Sequence, residues 1–160
     1  MSPKFRLLAK DELQALEKEF IDYLVVNGIT ASDWEKMKVD QHEKAEEIVM
    51  LFSDVVFESI FRKVQYLEFR QAREIICFQC LPDKLVLVGM KAGDSPEVDF
   101  NSQEFINKAM VDPPSDLQVY TTNKPYKKTR EIELFEMTLA GCIISDGRVF
   151  KALCLSLGKE

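Results

Sequence analysis

The chain opens with a helical rhythm and closes with a strand-like one. Leu13, Leu16, Phe20 and Leu24 recur every three or four residues, so they share one face of a helix predicted over about residues 11–27. Asp11 and Glu12 stand in its first turn, where carboxylates meet the positive end of the helix dipole, and Gly28 stands where a left-handed C-terminal cap is wanted. Thr30-Ala31-Ser32-Asp33 has the form of a capping box, with Asp in place of Glu or Gln, and opens a second helix over about 31–39. A third helix is expected over about 41–64 with Asp40 as its cap. Its first two turns are polar around Ala45. Between Ile48 and Val64, however, apolar residues fall on most sides of the helix, including Phe52, Phe57 and Phe61. A helix of that kind is buried on most sides, between the first helix and a sheet or against another subunit.

After Val64 the period changes and Gly and Pro punctuate the chain. Tyr66 to Phe69 is a short strand candidate. Glu74 to Leu81 and Leu85 to Met90 are apolar, rich in Ile, Val, Leu, Phe and Cys, and joined by Pro82-Asp83-Lys84, which predicts a hairpin. A short helix over about 102–110 ends before Pro113-Pro114. Leu117 to Thr122 reads as a strand broken by Asn123-Lys124-Pro125, and Leu134 to Leu139 suits either strand or helix. Cys142 to Ile144 and Val149 to Leu157 flank Asp146-Gly147, a pairing that predicts a second hairpin. Helices first and strands afterwards imply a single α+β domain over 1–160, its N-terminal helices packed on a mainly antiparallel sheet built from C-terminal hairpins.

Composition narrows the function classes. A chain of 160 residues, 46% hydrophobic and 30% charged, can bury a real core, and folding requires no metal or disulfide staple. A net charge of −6 argues against generic binding to nucleic acid or an anionic membrane surface. Uncharged runs reach only about ten residues, against the roughly twenty that span a bilayer. The start, Met1-Ser2-Pro3-Lys4-Phe5-Arg6, lacks a signal-like apolar run, so the four cysteines are expected to be reduced thiols in cytoplasm.

No assembled catalytic constellation emerges. Cys77-Phe78-Gln79-Cys80 has a C-x-x-C spacing, but in a strand positions three apart point to opposite faces, and Cys142 and Cys154 are not a second close pair; buried apolar thiols are the expectation, with no metal and no cofactor. In a two-residue turn at Asp146-Gly147, Cys142 would face Lys151 and Cys154 would face Leu139. His42, the one histidine, shares a helix face with Glu46 at a solvated helix start, and no H-E-x-x-H pattern surrounds it. Acidic residues cluster at Asp40, Glu43, Glu46 and Glu47, and again at Glu131, Glu133 and Glu136; both read as exposed faces. Asp146-Gly147-Arg148 needs no function beyond its turn.

One segment departs from this background. Lys124, Lys127, Lys128 and Arg130 surround Tyr126, making Lys124 to Arg130 a candidate site for an anion or phosphate-bearing ligand and, less favoured, for RNA. No glycine-rich phosphate loop supports it. Net charge by segment is −4 up to Val64, −4 from Gln65 to Asn123 and +2 afterwards, so any anionic partner would have to meet this last quarter.

Leu13 to Phe20, Asn27-Gly28-Ile29-Thr30, Leu51-Phe52-Ser53-Asp54, Tyr66-Leu67-Glu68-Phe69-Arg70 and Gly141 to Arg148 resemble blocks of a family of short uncharacterised proteins of Bacteroidetes. That resemblance implies a bacterial cytoplasmic setting and carries over no catalytic residue. The reading that follows is a non-catalytic protein that forms a homo-oligomer or binds a protein partner, with Phe52, Phe57 and Phe61 as candidate interface residues, no membrane association, and nucleic acid as an unfavoured partner.

Overall fold

A computed structural model describes residues 2–157. The chain divides into two compact units, 1–62 and 63–160.

The first unit is helical. The N-terminal helix expected as one rod is two, α1 (Lys10–Ala15) and α2 (Glu17–Val26), because Leu16 leaves the helical region at φ −104° and ψ 24°. The break does not disturb the apolar spacing, so periodicity could not register it. At the end of α2, Gly28 takes φ +74°, and its N–H and that of Ile29 bond to Val25 O and Leu24 O at 3.0 and 2.8 Å, which forms a Schellman cap. The predicted capping box opens α3 (Ala31–Asp40): the Asp33 N–H donates to Thr30 Oγ1 at 3.0 Å, and the Thr30 N–H donates to Asp33 Oδ2 at 3.2 Å. Asp40 belongs to α3 and does not cap the next helix. Gln41 precedes α4 (His42–Lys63), its carbonyl accepting from the Ala45 N–H at 3.0 Å.

Helix α4 organises this unit. Phe52 meets the rings of Phe20 and Tyr23 at 5.0 and 5.3 Å, centroid to centroid. The extended residues before α1 are pinned to α4 by two polar side chains. Asp54 accepts from the N–H groups of Lys4 and Phe5, and Ser53, fully buried, accepts from the Leu8 N–H at 3.0 Å while donating to Val49 O at 2.7 Å.

The second unit carries the sheet. Its strands are β1 (Tyr66–Arg70), β2 (Glu74–Cys80), β3 (Lys84–Lys91), β4 (Gln118–Pro125) and β5 (Ile143–Ser145), ordered β4-β3-β2-β1-β5 with every pair antiparallel. The expected α+β class is therefore present, and the expected first hairpin forms, its register running from Glu74 opposite Lys91 to Cys80 opposite Leu85. Helix α5 (Gln103–Val111) starts at a Ser102 cap and lies between β3 and β4 in the chain; α6 (Arg130–Leu139) resolves the ambiguous stretch as helix; α7 (Arg148–Leu157) follows β5. On the α7 side, Phe150, Leu153 and Ile106 close over Ile75, Cys77, Val88 and Met90 to form one core.

Two expectations fail here for physical reasons. Strand β4 runs through Asn123, Lys124 and Pro125 because it is an edge strand, where a proline can be accommodated without losing an interior ladder bond. The second hairpin does not form. Ile143 and Ile144 pair with Glu68 and Leu67 of β1, and Val149 to Leu157 lies in a helix whose Phe150, Leu153 and Leu157 follow helical spacing, although Leu153, Leu155 and Leu157 alternate as a strand would.

Candidate functional site

The residues of the basic segment have separate jobs. Lys124 and Pro125 finish β4 opposite Leu85 and Lys84. The half-buried Tyr126 donates its hydroxyl to Leu81 O at 2.8 Å, and burial raises its pKa to about 12. Lys128 sits 2.6 Å from Glu136, while its backbone N–H donates to Glu133 at 3.0 Å. Arg130 opens α6 and turns inward: its Nη2 donates to the carbonyls of Val64 and Cys80, the latter at 3.1 Å, and Nη1 lies 3.7 Å from Glu131. Lys124 and Lys127 are exposed and form no ion pair among the described residues. The segment thus presents two open ammonium groups, with its guanidinium committed to joining the start of β1, the end of β2 and α6.

Phe52, Phe57 and Phe61 are covered, at 3%, 7% and 5% exposure. The apolar side chains that α4 leaves exposed are Leu51, Val55 and Ile60. Phe57 and Phe61 both lie about 6 Å, at 6.1 and 6.2 Å, from the Phe5 ring, which explains part of their burial.

Cys77 and Cys80 are buried, and desolvation raises their pKa values to about 12 and about 11. They point to opposite faces, as their strand spacing requires. Cys142 is half-buried and Cys154 is exposed, so the expectation of buried thiols holds for the close pair and fails for Cys154. The facing of Cys142 with Lys151 and of Cys154 with Leu139 falls with the hairpin. His42 pairs with Glu46 at 3.1 Å on an exposed helix turn. No group of three or more potential metal ligands converges among the described residues. Asp146-Gly147-Arg148 starts α7: Gly147 adopts φ +85°, Asp146 Oδ1 accepts from the Arg148 N–H at 3.0 Å, and the Gly147 carbonyl accepts from the Lys151 N–H at 2.9 Å.

Several features had no clear signal in the sequence. Glu68, only 4% exposed, pairs with the part-buried Arg70 at 3.1 Å, and Arg70 also donates to Gln103 at 2.9 Å, so Arg70 ties α5 to β1. Arg73 donates to the carbonyls of Gly93, Ser95 and Val98 and holds the loop between β3 and α5. A cavity of about 250 Å³ between α5 and α7 is lined by Ile75, Met90, Ile106 and Leu153. The free edge of β4 is a further such feature. Thr121 through Pro125 are exposed, and no further strand pairs with β4 among the described residues.

These surfaces describe a small α+β protein many of whose polar side chains brace its segments, and whose open features include apolar side chains, a β-edge and the ammonium groups of Lys124 and Lys127. The chain belongs to a family of unknown function (DUF6495), whose family model matches residues 1–157. No curated protein and no solved structure matches it. No described helix is long and apolar enough to cross a membrane.

Proposed function

We propose that this is a non-catalytic, self-associating protein of the bacterial cytoplasm, joined copy to copy along β4. The observation that carries the reading is the eight-residue β4 edge, unpaired on its outer side among the described residues. Natural edge strands are blunted by charge, proline or shortness. In β4 only the last two residues, Lys124 and Pro125, serve that purpose, and Gln118 to Asn123 is uncharged and contains Val119, Tyr120, Thr121 and Thr122.

The charges flanking the strand favour a second copy as its occupant. Asp112 and Asp116 precede β4, and hydrogen bonds from Ser95 hold Asp116 below its ordinary pKa and so ionised. Lys124 and Lys127 close the other end. Antiparallel pairing of two β4 strands about a two-fold axis sets the acidic end of one copy beside the basic end of the other, whereas parallel pairing would oppose like charges.

Light scattering at several protein concentrations tests this. A dimer that dissociates on dilution is expected, weakened at least about tenfold by Lys124→Glu/Lys127→Glu, with recovery when that variant is mixed with Asp112→Lys. A strict monomer, or a dimer indifferent to these charges, overturns the reading. The alternative use of Lys124 and Lys127, binding a phosphate-bearing ligand, predicts thermal stabilisation of the monomer by inorganic phosphate or nucleotides. It is the weaker reading because Arg130 and Lys128 are already engaged.

A further inference from the structure

The first unit contains a groove of about 800 Å³, formed by the N-terminal segment and α1 on one side, α3 on the other and the first turns of α4. Its apolar surface comes from Leu7, Leu13, Trp34, Val49 and Met50. Leu7 is 51% exposed and Trp34 is half-buried, with its ring edge-on to Phe20 at 5.1 Å, so apolar surface is held open by fixed side chains. Asp54 and Ser53 fix the N-terminal wall against α4, as described above.

The groove's charge is predominantly acidic. Glu43, Glu46 and Glu47 line it from α4; Lys38 is its one lysine, and that ammonium already lies 3.0 Å from Glu35. Glu43 and Glu47 form no ion pair among the described residues, and Glu46 meets only His42. An apolar floor with an unneutralised acidic rim is complementary to a helix that is apolar on one face and bears Lys or Arg beside that face. The lining residues of α4 run from His42 to Met50, about 12 Å at 1.5 Å per residue, which matches a little over two turns of such a helix.

We propose that this groove binds a cationic amphipathic helix of a partner protein, with the apolar side chains against Leu7, Leu13 and Trp34 and the basic ones toward Glu43, Glu46 and Glu47. The site is independent of β4.

Trp34 is the chain's single tryptophan, so its emission reports on the groove alone. The probe is a synthetic peptide of roughly fourteen residues with Leu at helical spacing and Lys elsewhere. Two controls accompany it, one of the same composition with the leucines scattered and one with Glu in place of Lys. The expected result is a saturable emission change with a Kd on the order of micromolar that weakens with salt, and little response to either control. Glu43→Lys/Glu47→Lys should weaken binding at least about tenfold, whereas Glu17→Lys/Glu19→Lys, exposed on α2, should not. Circular dichroism confirms that both variants fold. No saturable response, equal binding of the scattered peptide, or equal losses in the two charge variants overturns the proposal.

Discussion

The ring of Tyr120 lies across the backbone of Gly89, its partner on the neighbouring strand, so closely that a Cβ on Gly89 would come within 2.0 Å of the ring. The Tyr120 hydroxyl continues past the glycine to donate to Glu74 on β2 at 2.5 Å, and Lys91 lies 5.6 Å from the ring centre. One aromatic side chain thus spans β4, β3 and β2. The glycine inside an otherwise largely apolar strand is explained by this close approach.

Gly89→Ala should therefore destabilise the protein by about 1–3 kcal/mol in urea unfolding, because the ring has to leave its place. Tyr120→Ala alone removes the clashing partner together with its hydrogen bond. The double variant should be distinctly more stable than the sum of the two losses implies. Simple additivity would mean that the ring and the glycine are not coupled.

Arg130 invites a comparable test. Its guanidinium reaches two backbone carbonyls, on Val64 and Cys80, from a side chain only 14% exposed. Arg130→Ala should cost about 1.5–3 kcal/mol, the range for hydrogen bonds made by a charged group. Arg130→Lys should recover only part of it, since an ammonium lacks the planar fork that serves two acceptors at once. Full recovery by Lys would show that charge alone matters there. The result also bears on the anion reading, because a residue needed to hold β1, β2 and α6 together is not available for a ligand.

The contrast between Arg130 and the helices shows what sequence could convey. Periodicity and breakers are local, so α3, α4, α5 and the first hairpin were all legible to within a few residues. The failed second hairpin and the misplaced end of β4 depended on distant partners. Val149 to Leu157 satisfies strand and helix spacing alike, and the choice was made by β5 pairing with β1, some seventy-five residues earlier in the chain. Asn123-Lys124-Pro125 breaks a central strand but not an edge strand, and edge position is a property of strand order. The same limit applies to the sites. Four cations within seven residues looked convergent in one dimension, yet Arg130 turns inward and Lys128 meets Glu136. The groove draws on Leu7, Leu13, Trp34 and Met50 from four separate segments, so no single window of sequence could display it.

The cysteines should separate by reactivity. Cys154 is exposed, Cys142 half-buried, and Cys77 and Cys80 buried with thiols held protonated by desolvation. Because the thiolate is the nucleophile, native protein at pH 8 should label first at Cys154, more slowly at Cys142, and at Cys77 and Cys80 only on unfolding. Mass spectrometry of the labelled peptides reads the order directly. Early modification of Cys77 would contradict the packing of Phe150 and Leu153 over it.

Alkaline pH should weaken the fold. Desolvation raises Cys77 from 9.0 to about 12, with Glu68 adding to the effect, and raises Cys80 from 9.0 to about 11. Burial likewise raises Tyr120 and Tyr126 from 10.0 to about 12, Tyr120 with help from its bond to Glu74. In the unfolded chain these groups release their protons at their ordinary values, whereas the folded chain retains them. Between pH 9 and 12 the unfolded state therefore binds fewer protons, and stability falls as pH rises. The contribution is complete below pH 9 and lost as pH passes the folded values. Urea midpoints should stay level on this account from pH 7 to 8.5 and decline steadily above 9. Tyr120→Phe, which removes one of the four groups, should make the decline above pH 10 shallower. A midpoint that holds level or rises between pH 9 and 11.5 would show that these four side chains are not shielded as the structure places them.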